Sequence, residues 1–519
     1  MAVQGDSFAT ETLKGKGIGE MLFNSVNFLI FFPLVCLGYY LIPGRVRWRN
    51  LFLLAASYYF YMCWNPRYAL LMLASTVITY MSGILIGWAE TLEAERRRTF
   101  WKKAFVAASF FLNLSILFFF KYFNWAVLSI NKILSTVHMT PLAIRFDIIL
   151  PVGISFYTFQ ALSYTMDVYR GEIYPEKNFP EYALFVSFFP QLVAGPIERS
   201  GNLLRQLQTE HRFDFANVHQ GLVQMLFGFF QKVVIADNVS VFVKTVYGDY
   251  MNKGSVELIV ASVLFAVQIY CDFGGYSNIA IGAARVMGIR LMENFNTPYL
   301  SDSIADFWRR WHISLNTWFR DYVYIPLGGN RKGRLRKYIN LMIVFLTSGL
   351  WHGAAWHFVA WGGINGLYQI AGDLLKPLRD SFCRVFRVDR QSFSHRFGKI
   401  LITFFLVDVS WVFFGANSIR DALMILWRMG TRWNPWVLFD GGLFQQGLSA
   451  GQMYMLLAAI LVLVLTDVLK YLQIDWMKGL CRQGIWFQYL VCAVFLGWIL
   501  LCGSYGPGYD AAQFIYFQF

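Results

Sequence analysis

Apolar residues arrive in long runs along this chain, and charge arrives in short bursts between them. Val26–Ile42, Ala69–Trp88, Ala104–Phe120, Met453–Leu465 and Tyr489–Cys502 contain no Asp, Glu, Lys or Arg. A helix needs roughly 20 mostly apolar residues to cross a hydrocarbon core about 30 Å thick. Several runs meet or approach that length. Others, such as Leu51–Trp64 and Tyr182–Ala194, fall short and predict segments that are tilted, re-entrant or buried inside a bundle. The pattern predicts an all-α fold: a polytopic membrane helical bundle of roughly a dozen spans, with short re-entrant and interfacial helices.

Composition agrees. Apolar residues fill 57% of 519 positions and charged residues 15%, too little charge to cover a soluble protein of this length. The net charge of +14 raises the question of nucleic acid, but its placement argues against it. Basic residues cluster between apolar runs: Arg45, Arg47 and Arg49; Arg96, Arg97, Arg98, Lys102 and Lys103; Arg331, Lys332, Arg334, Arg336 and Lys337. That is the pattern of cytoplasmic loops under the positive-inside rule, not of one basic face on a soluble domain. Two clusters fall on the same side when the first three spans are threaded in order, which places the N-terminal side outside.

Residues 1–20 are polar and predict a disordered tail ahead of an uncleaved first span near Met21. Residues 21–519 then form a single membrane-embedded domain. From Pro151 onward the runs shorten, punctuated by Pro175, Pro180, Pro190, Pro196, Pro298 and Pro326. Irregular backbone at membrane depth must be buried in protein or line a wet cavity, because lipid cannot satisfy its amides. The stretch 151–370 is therefore the expected functional core. Lys376–Lys399 and Asn434–Gly451 read as loops, leaving no extracellular catalytic domain. The seven cysteines form no Cys-x-x-Cys pair and read as small buried hydrophobes.

Within that core, Phe345–Trp361 reads FLTSGLWHGAAWHFVAW. A helix rising ~1.5 Å per residue from Lys337 lifts His352 by ~22 Å, well into the bilayer. An ionisable side chain at that depth is a functional candidate by default. Gly349 and Gly353 permit a kink or the close approach of a substrate. His357 lies about 140° around a regular helix from His352, so the two cannot form an i,i+4 metal pair, and its reading is structural. No metal site is expected.

Ser303–Arg320 reads SIADFWRRWHISLNTWFR. Ser303 and Asp306 fit a capping box, and Trp308, Trp311, His312, Leu315, Trp318 and Phe319 recur at helical spacing. One helix with His312 on its aromatic face is predicted. It is either an interfacial belt or a site in which burial keeps the imidazole neutral and basic. Arg309 and Arg310 on its edge are candidates for donor phosphates. In Ile269–Gly282, Asp272 interrupts an apolar run that Gly274–Gly275 break; Arg285, Arg309 or Arg310 would pair with it. Phe188–Arg199, FFPQLVAGPIER, predicts a broken re-entrant segment. Gly-x-Ser-x-Gly, the P-loop and His-Glu-x-x-His are absent.

In this order the stretches resemble the membrane-bound O-acyltransferase family, in its bacterial branch serving alginate acetylation and teichoic acid D-alanylation. The likeness runs from MLFNS at Met21 through VGISFYTFQALSY and the four stretches above, to about Asp373. It implies a ring of helices around a thin centre, with an outer funnel and a cytoplasmic donor entry. The family's invariant histidine matches His352 and its second histidine His312. Relatives often carry Asp-Phe-Ser-Gly-Tyr-Ser-Asp where this chain has Gly274 and Asn278, while Asp272 and Tyr276 remain.

The resemblance implies acyl transfer from a cytoplasmic thioester, acetyl-coenzyme A or another, to an exported or cell-surface polysaccharide. His352 is then the expected general base. His312, Trp311, Asn316 and Trp351 would position substrates, with Asp272, Tyr276, Asp306, Arg309 and Arg310 in support. No bound cofactor is expected. The expected partners are the bilayer of a bacterial inner or plasma membrane and a separate outer-face, hydrolase-like protein. The rival reading is a transporter or acyl-group channel with Asp272, His312 and His352 as a proton relay, or a structural part of a glycan export complex.

Overall fold

The computed structural model describes residues 21–42, 46–144, 146, 148, 150–504 and 515. The tail 1–20 and Arg45 lie outside the described residues. Among the described residues the regular structure is helical throughout, as the runs predict. Seven helices are long and apolar enough to cross a membrane, by length and composition. They are Pro66–Glu90, Glu95–Thr136, Phe215–Gly248, Ser255–Val286, Phe393–Gly415, Ala450–Tyr471 and Ile485–Cys502. The dozen runs counted in the sequence include shorter or more polar helices, such as Val26–Leu41, Ile154–Arg170 and Gly333–His352.

Burial separates scaffold from core. Ile485–Cys502 buries only Gln488, whereas Ser255–Val286 is packed along nearly its whole length. That central helix lies against Phe215–Phe229 through two glycine pairs. A Cβ on Gly228 would meet the Gly275 carbonyl oxygen at 2.6 Å, and one on Gly221 the Gly282 carbonyl at 2.7 Å. Lipid tails give no hydrophobic drive for two helices to associate, so small residues that let backbones touch supply the contact. Gly274–Gly275 therefore do not break the helix, which runs unbroken through both.

The basic loops gather on one face. Arg49 Nη1 donates to the His211 carbonyl at 2.7 Å, Lys102 sits 5.4 Å from the Tyr169 ring centre, Arg170 donates to the Asp321 carbonyl at 2.6 Å, and Lys337 pairs with Asp373 at 2.9 Å. Phe188–Arg199 is broken as expected: a short helix ends at Ser187, another spans Phe189–Leu192, and Val193–Arg199 is irregular yet buried almost throughout. The Lys376–Lys399 stretch departs from the expected loop. Lys376–Val385 is an amphipathic helix, and the next helix begins at Phe393. Among the cysteines, Cys63 and Cys271 are buried, but Cys36, Cys383, Cys481, Cys492 and Cys502 are only partly so, because their helices face outward.

Candidate active site

Gly333–His352 is one helix, and His352 is its last residue. The chain then turns and descends as Trp356–Leu374. Gly349 and Gly362 sit at the crossing of this hairpin; a Cβ on either would strike backbone of the other helix. Gly353 faces the Phe358 ring in the same way. These glycines serve helix packing rather than the approach of a substrate. Their tight crossing holds the end of the helix, and His352 with it, 4% exposed inside the protein.

His312 reaches the same place by a different route. Ser303–Arg320 is not one helix. Ile304–Arg310 ends at an extended Trp311, and Ile313–Phe319 begins anew after His312, whose φ is 44°. A non-glycine residue in the left-handed region costs on the order of 1–3 kcal/mol, and such strain concentrates at functional sites. Polar contacts hold the break open. Ile313 N–H donates to the Asn294 carbonyl at 3.0 Å, Ser314 Oγ to Asn294 Oδ1 at 2.6 Å, and Asn316 Nδ2 to the Trp311 carbonyl at 2.5 Å. Periodicity missed the break because Trp311 and Trp318 stay buried on either side of it.

The two imidazoles end 6.2 Å apart, centre to centre. Rings surround them: Phe273 lies 4.6 Å from His312, and Trp361 and Phe414 lie 5.0 and 5.5 Å from His352. Trp351 contacts both, at 5.8 and 5.0 Å. His357 stays apart, its Nδ1 3.0 Å from the Phe413 carbonyl oxygen.

Other sequence candidates go elsewhere. Asp272 does not pair with Arg285, Arg309 or Arg310. Its carboxylate accepts from Lys232 Nζ at 2.6 Å, and Lys232 also binds Asp237 at 2.8 Å. Ile515 N–H donates to the second Asp272 oxygen at 2.7 Å. A buried carboxylate needs a nearby cation, and Lys232, on the π-helical turn Phe230–Ala236, is nearer than any arginine. Tyr276 stacks on Phe23 at 4.5 Å, in the packing of the first helix. Ser303 caps the helix by accepting from the Asp306 backbone N–H, the Asp306 carboxylate binds Arg310 at 2.8 Å, and Arg309 points outward with its side chain 73% exposed.

Cavities approach the pair from two sides. On the basic face, a pocket of about 300 Å³ is lined by Gln220, Gln224, Asn278, Arg285, Asn294 and Lys470, among others. Phe295, on its wall, packs at 5.1 Å against Phe273, the ring that touches His312. On the opposite face, a cavity of about 670 Å³ includes Asn124, Lys244, Gln268, His357 and Asp421. It shares Lys121 and Leu150 with a small cavity of about 30 Å³ that His352 itself lines. Neither Arg309 nor Arg310 lines any of the three.

Residues 175–406 match the model of the MBOAT, membrane-bound O-acyltransferase, family. The chain is 35% identical over 516 residues to a protein of Pseudomonas putida named "Probable alginate O-acetylase AlgI", covering 96% of this chain and all of that one. The chain belongs to the membrane-bound O-acyltransferase family. The similarly named protein of Pseudomonas aeruginosa is 39% identical over 420 residues, 79% of this chain and 74% of its own. The "Peptidoglycan O-acetyltransferase" of Helicobacter pylori is 34% identical over 439 residues, 78% and 79% of the two chains. This acyltransferase is thus a multi-pass membrane protein, and its two candidate histidines, His312 and His352, lie side by side. Sequence reasoning missed Lys121, Ser155, Lys232 and Asn294. The first and third stand inside or at the end of apolar runs, where a lone charge was itself the available signal.

Proposed function

We propose that this acyltransferase O-acetylates an exported or cell-surface polysaccharide. It takes the acetyl group from a cytoplasmic thioester, acetyl-coenzyme A, in a bacterial inner or plasma membrane. One observation carries the reading: two buried imidazoles 6.2 Å apart lie between a polar pocket on the basic face and a cavity on the other. The basic face is cytoplasmic by the positive-inside rule. The names of the relatives supply the acetyl group and the glycan.

His352 is the general base. It removes the proton from the acceptor hydroxyl as that oxygen attacks the thioester carbonyl. The tetrahedral intermediate then collapses, the carbon–sulfur bond breaks, and the imidazolium returns its proton to the leaving thiolate. A base so placed contributes about 10²–10⁴-fold. His312, held in a strained backbone, keeps its ring 6.2 Å from that of His352, and Trp351 packs against both rings. Arg285 and Lys470 on the cytoplasmic pocket replace Arg309 and Arg310 as the groups suited to donor phosphates. A hydrolase-like partner completes delivery on the outer face, where Trp433, Trp436 and Phe439 stand exposed.

The test is acetylation of the native polymer in a strain carrying His352→Ala, with protein level confirmed by immunoblot. Loss of acetylation is expected; wild-type acetylation at equal protein defeats the proposal. Co-purification after cross-linking tests the partner, and recovery of self-associated chain alone counts against it.

A further inference from the structure

The long helix Glu95–Thr136 is interrupted by a single π-helical turn, Phe118–Tyr122. Such a turn inserts an extra residue and re-aims the side chains around it, and it recurs at functional sites. Here it presents neighbouring side chains to one target. Tyr122 Oη donates to the Leu350 carbonyl at 2.9 Å, and Lys121 Nζ donates to the Trp351 carbonyl at 2.6 Å. Lys121 Nζ also donates to Ser155 Oγ at 3.2 Å.

The Leu350 and Trp351 carbonyls are the last two before His352. The final carbonyls of any helix lack intrahelical donors, and a cation there is further favoured by the helix dipole. The π turn therefore caps the helix at the point where it hands over to the histidine. Lys121 also lies on the passage. It lines the cavity of about 670 Å³ on the side away from the basic loops and the small cavity that His352 lines, with Leu150 the other residue common to both.

We propose that Lys121 is a positioning residue for acyl transfer: it locks the end of the His352 helix and stands where the acceptor hydroxyl enters from the outer cavity. The inference rests on the reading of His352 as the base. Lys121 acts through the Trp351 carbonyl, so its removal loosens the placement of the His352 ring while the cytoplasmic donor pocket is untouched. The loss must then appear in the maximal rate and not in the affinity for the donor.

The experiment uses membranes from a strain with its complete acetylation system and radiolabelled acetyl-coenzyme A. Initial label incorporation into polymer is measured against donor concentration, per folded molecule, for Lys121→Met, Lys121→Gln, Tyr122→Phe and His352→Ala. For both Lys121 variants the maximal rate is expected to fall about tenfold or more, since misplacement by ~1 Å can cost ~10²-fold. The apparent KM for acetyl-coenzyme A stays within about twofold, because that interaction is made elsewhere. Tyr122→Phe shows a smaller fall of the same kind. A folded Met or Gln variant with the wild-type maximal rate overturns the inference, as does a loss confined to KM. Failure of both to fold overturns it too, leaving a purely structural cap. Should His352→Ala also retain transfer, the acyl-transfer reading fails; should it be inactive while Lys121→Met is active, only the Lys121 inference does.

Discussion

Replacing Lys232 by Met should destabilise the protein far more than replacing Asp272 by Asn. Lys232 Nζ stands 2.6 Å from Asp272 and 2.8 Å from Asp237, with side chains 7% and 2% exposed. At an effective dielectric of about 20, each contact carries a gross attraction of ~6 kcal/mol. Desolvation of three buried ions offsets much of that, at several kcal/mol each. Removing the cation alone leaves two carboxylates facing each other in a dry site, a loss of about 3–5 kcal/mol. Asp272→Asn keeps the Lys232–Asp237 pair and should cost only about 1–3 kcal/mol. The triple variant K232M/D237N/D272N removes all the charge and should recover most of the stability.

The assay is the apparent melting temperature of the detergent-solubilised full-length protein, followed by gel filtration at a fixed heating rate, because membrane proteins of this size unfold irreversibly. The expected fall for K232M is on the order of 5 °C; mid-sized domains lose ~2–4 °C per kcal/mol and larger chains less. A melting temperature for K232M within experimental error of wild type refutes the reasoning, as does a triple variant less stable than K232M. Activity per folded molecule separates a structural Asp272 from a reacting one: D272N that melts normally but transfers nothing makes Asp272 part of the chemistry.

Gly275→Ala should sharply reduce the folded yield, because its Cβ would sit 2.8 Å from the Gly228 carbonyl; Gly274→Ser, whose Cβ meets nothing nearer than the Tyr270 ring at 3.6 Å, should fold normally in the same gel-filtration assay. Asn316→Leu removes the donor to the Trp311 and His312 carbonyls and should cost about 1–3 kcal/mol. Its transfer rate should fall further than its melting temperature suggests, as the His312 turn relaxes. Arg285→Gln and Lys470→Gln should each raise the KM for acetyl-coenzyme A about three- to tenfold, a charge-assisted contact being worth up to ~1.4 kcal/mol there. Arg309→Gln, outside the pocket, should leave that KM unchanged; titrating donor in membranes checks all three.

The sequence by itself determined the class of fold, and it sets the expected sidedness of the basic loops and the expected depth of His352. Each follows from a property that is additive along the chain: hydropathy over a helix length, charge at run ends, and rise per residue. The broken Phe188–Arg199 segment was legible for the same reason, because proline removes a backbone donor wherever it stands. What only the tertiary structure decided are pairings between residues distant in sequence. The partner of Asp272 lies 40 positions away and the partner of Lys121 lies 230 away. Local pattern cannot choose between Lys232 and Arg285 for one carboxylate; proximity in the packed bundle does. The turn at His312 also escaped, because Asn294 and Asn316 hold it open against a helical periodicity that both flanks still obey. That turn, and the π turn behind Lys121, bring to one point two histidines that hydropathy could only place separately.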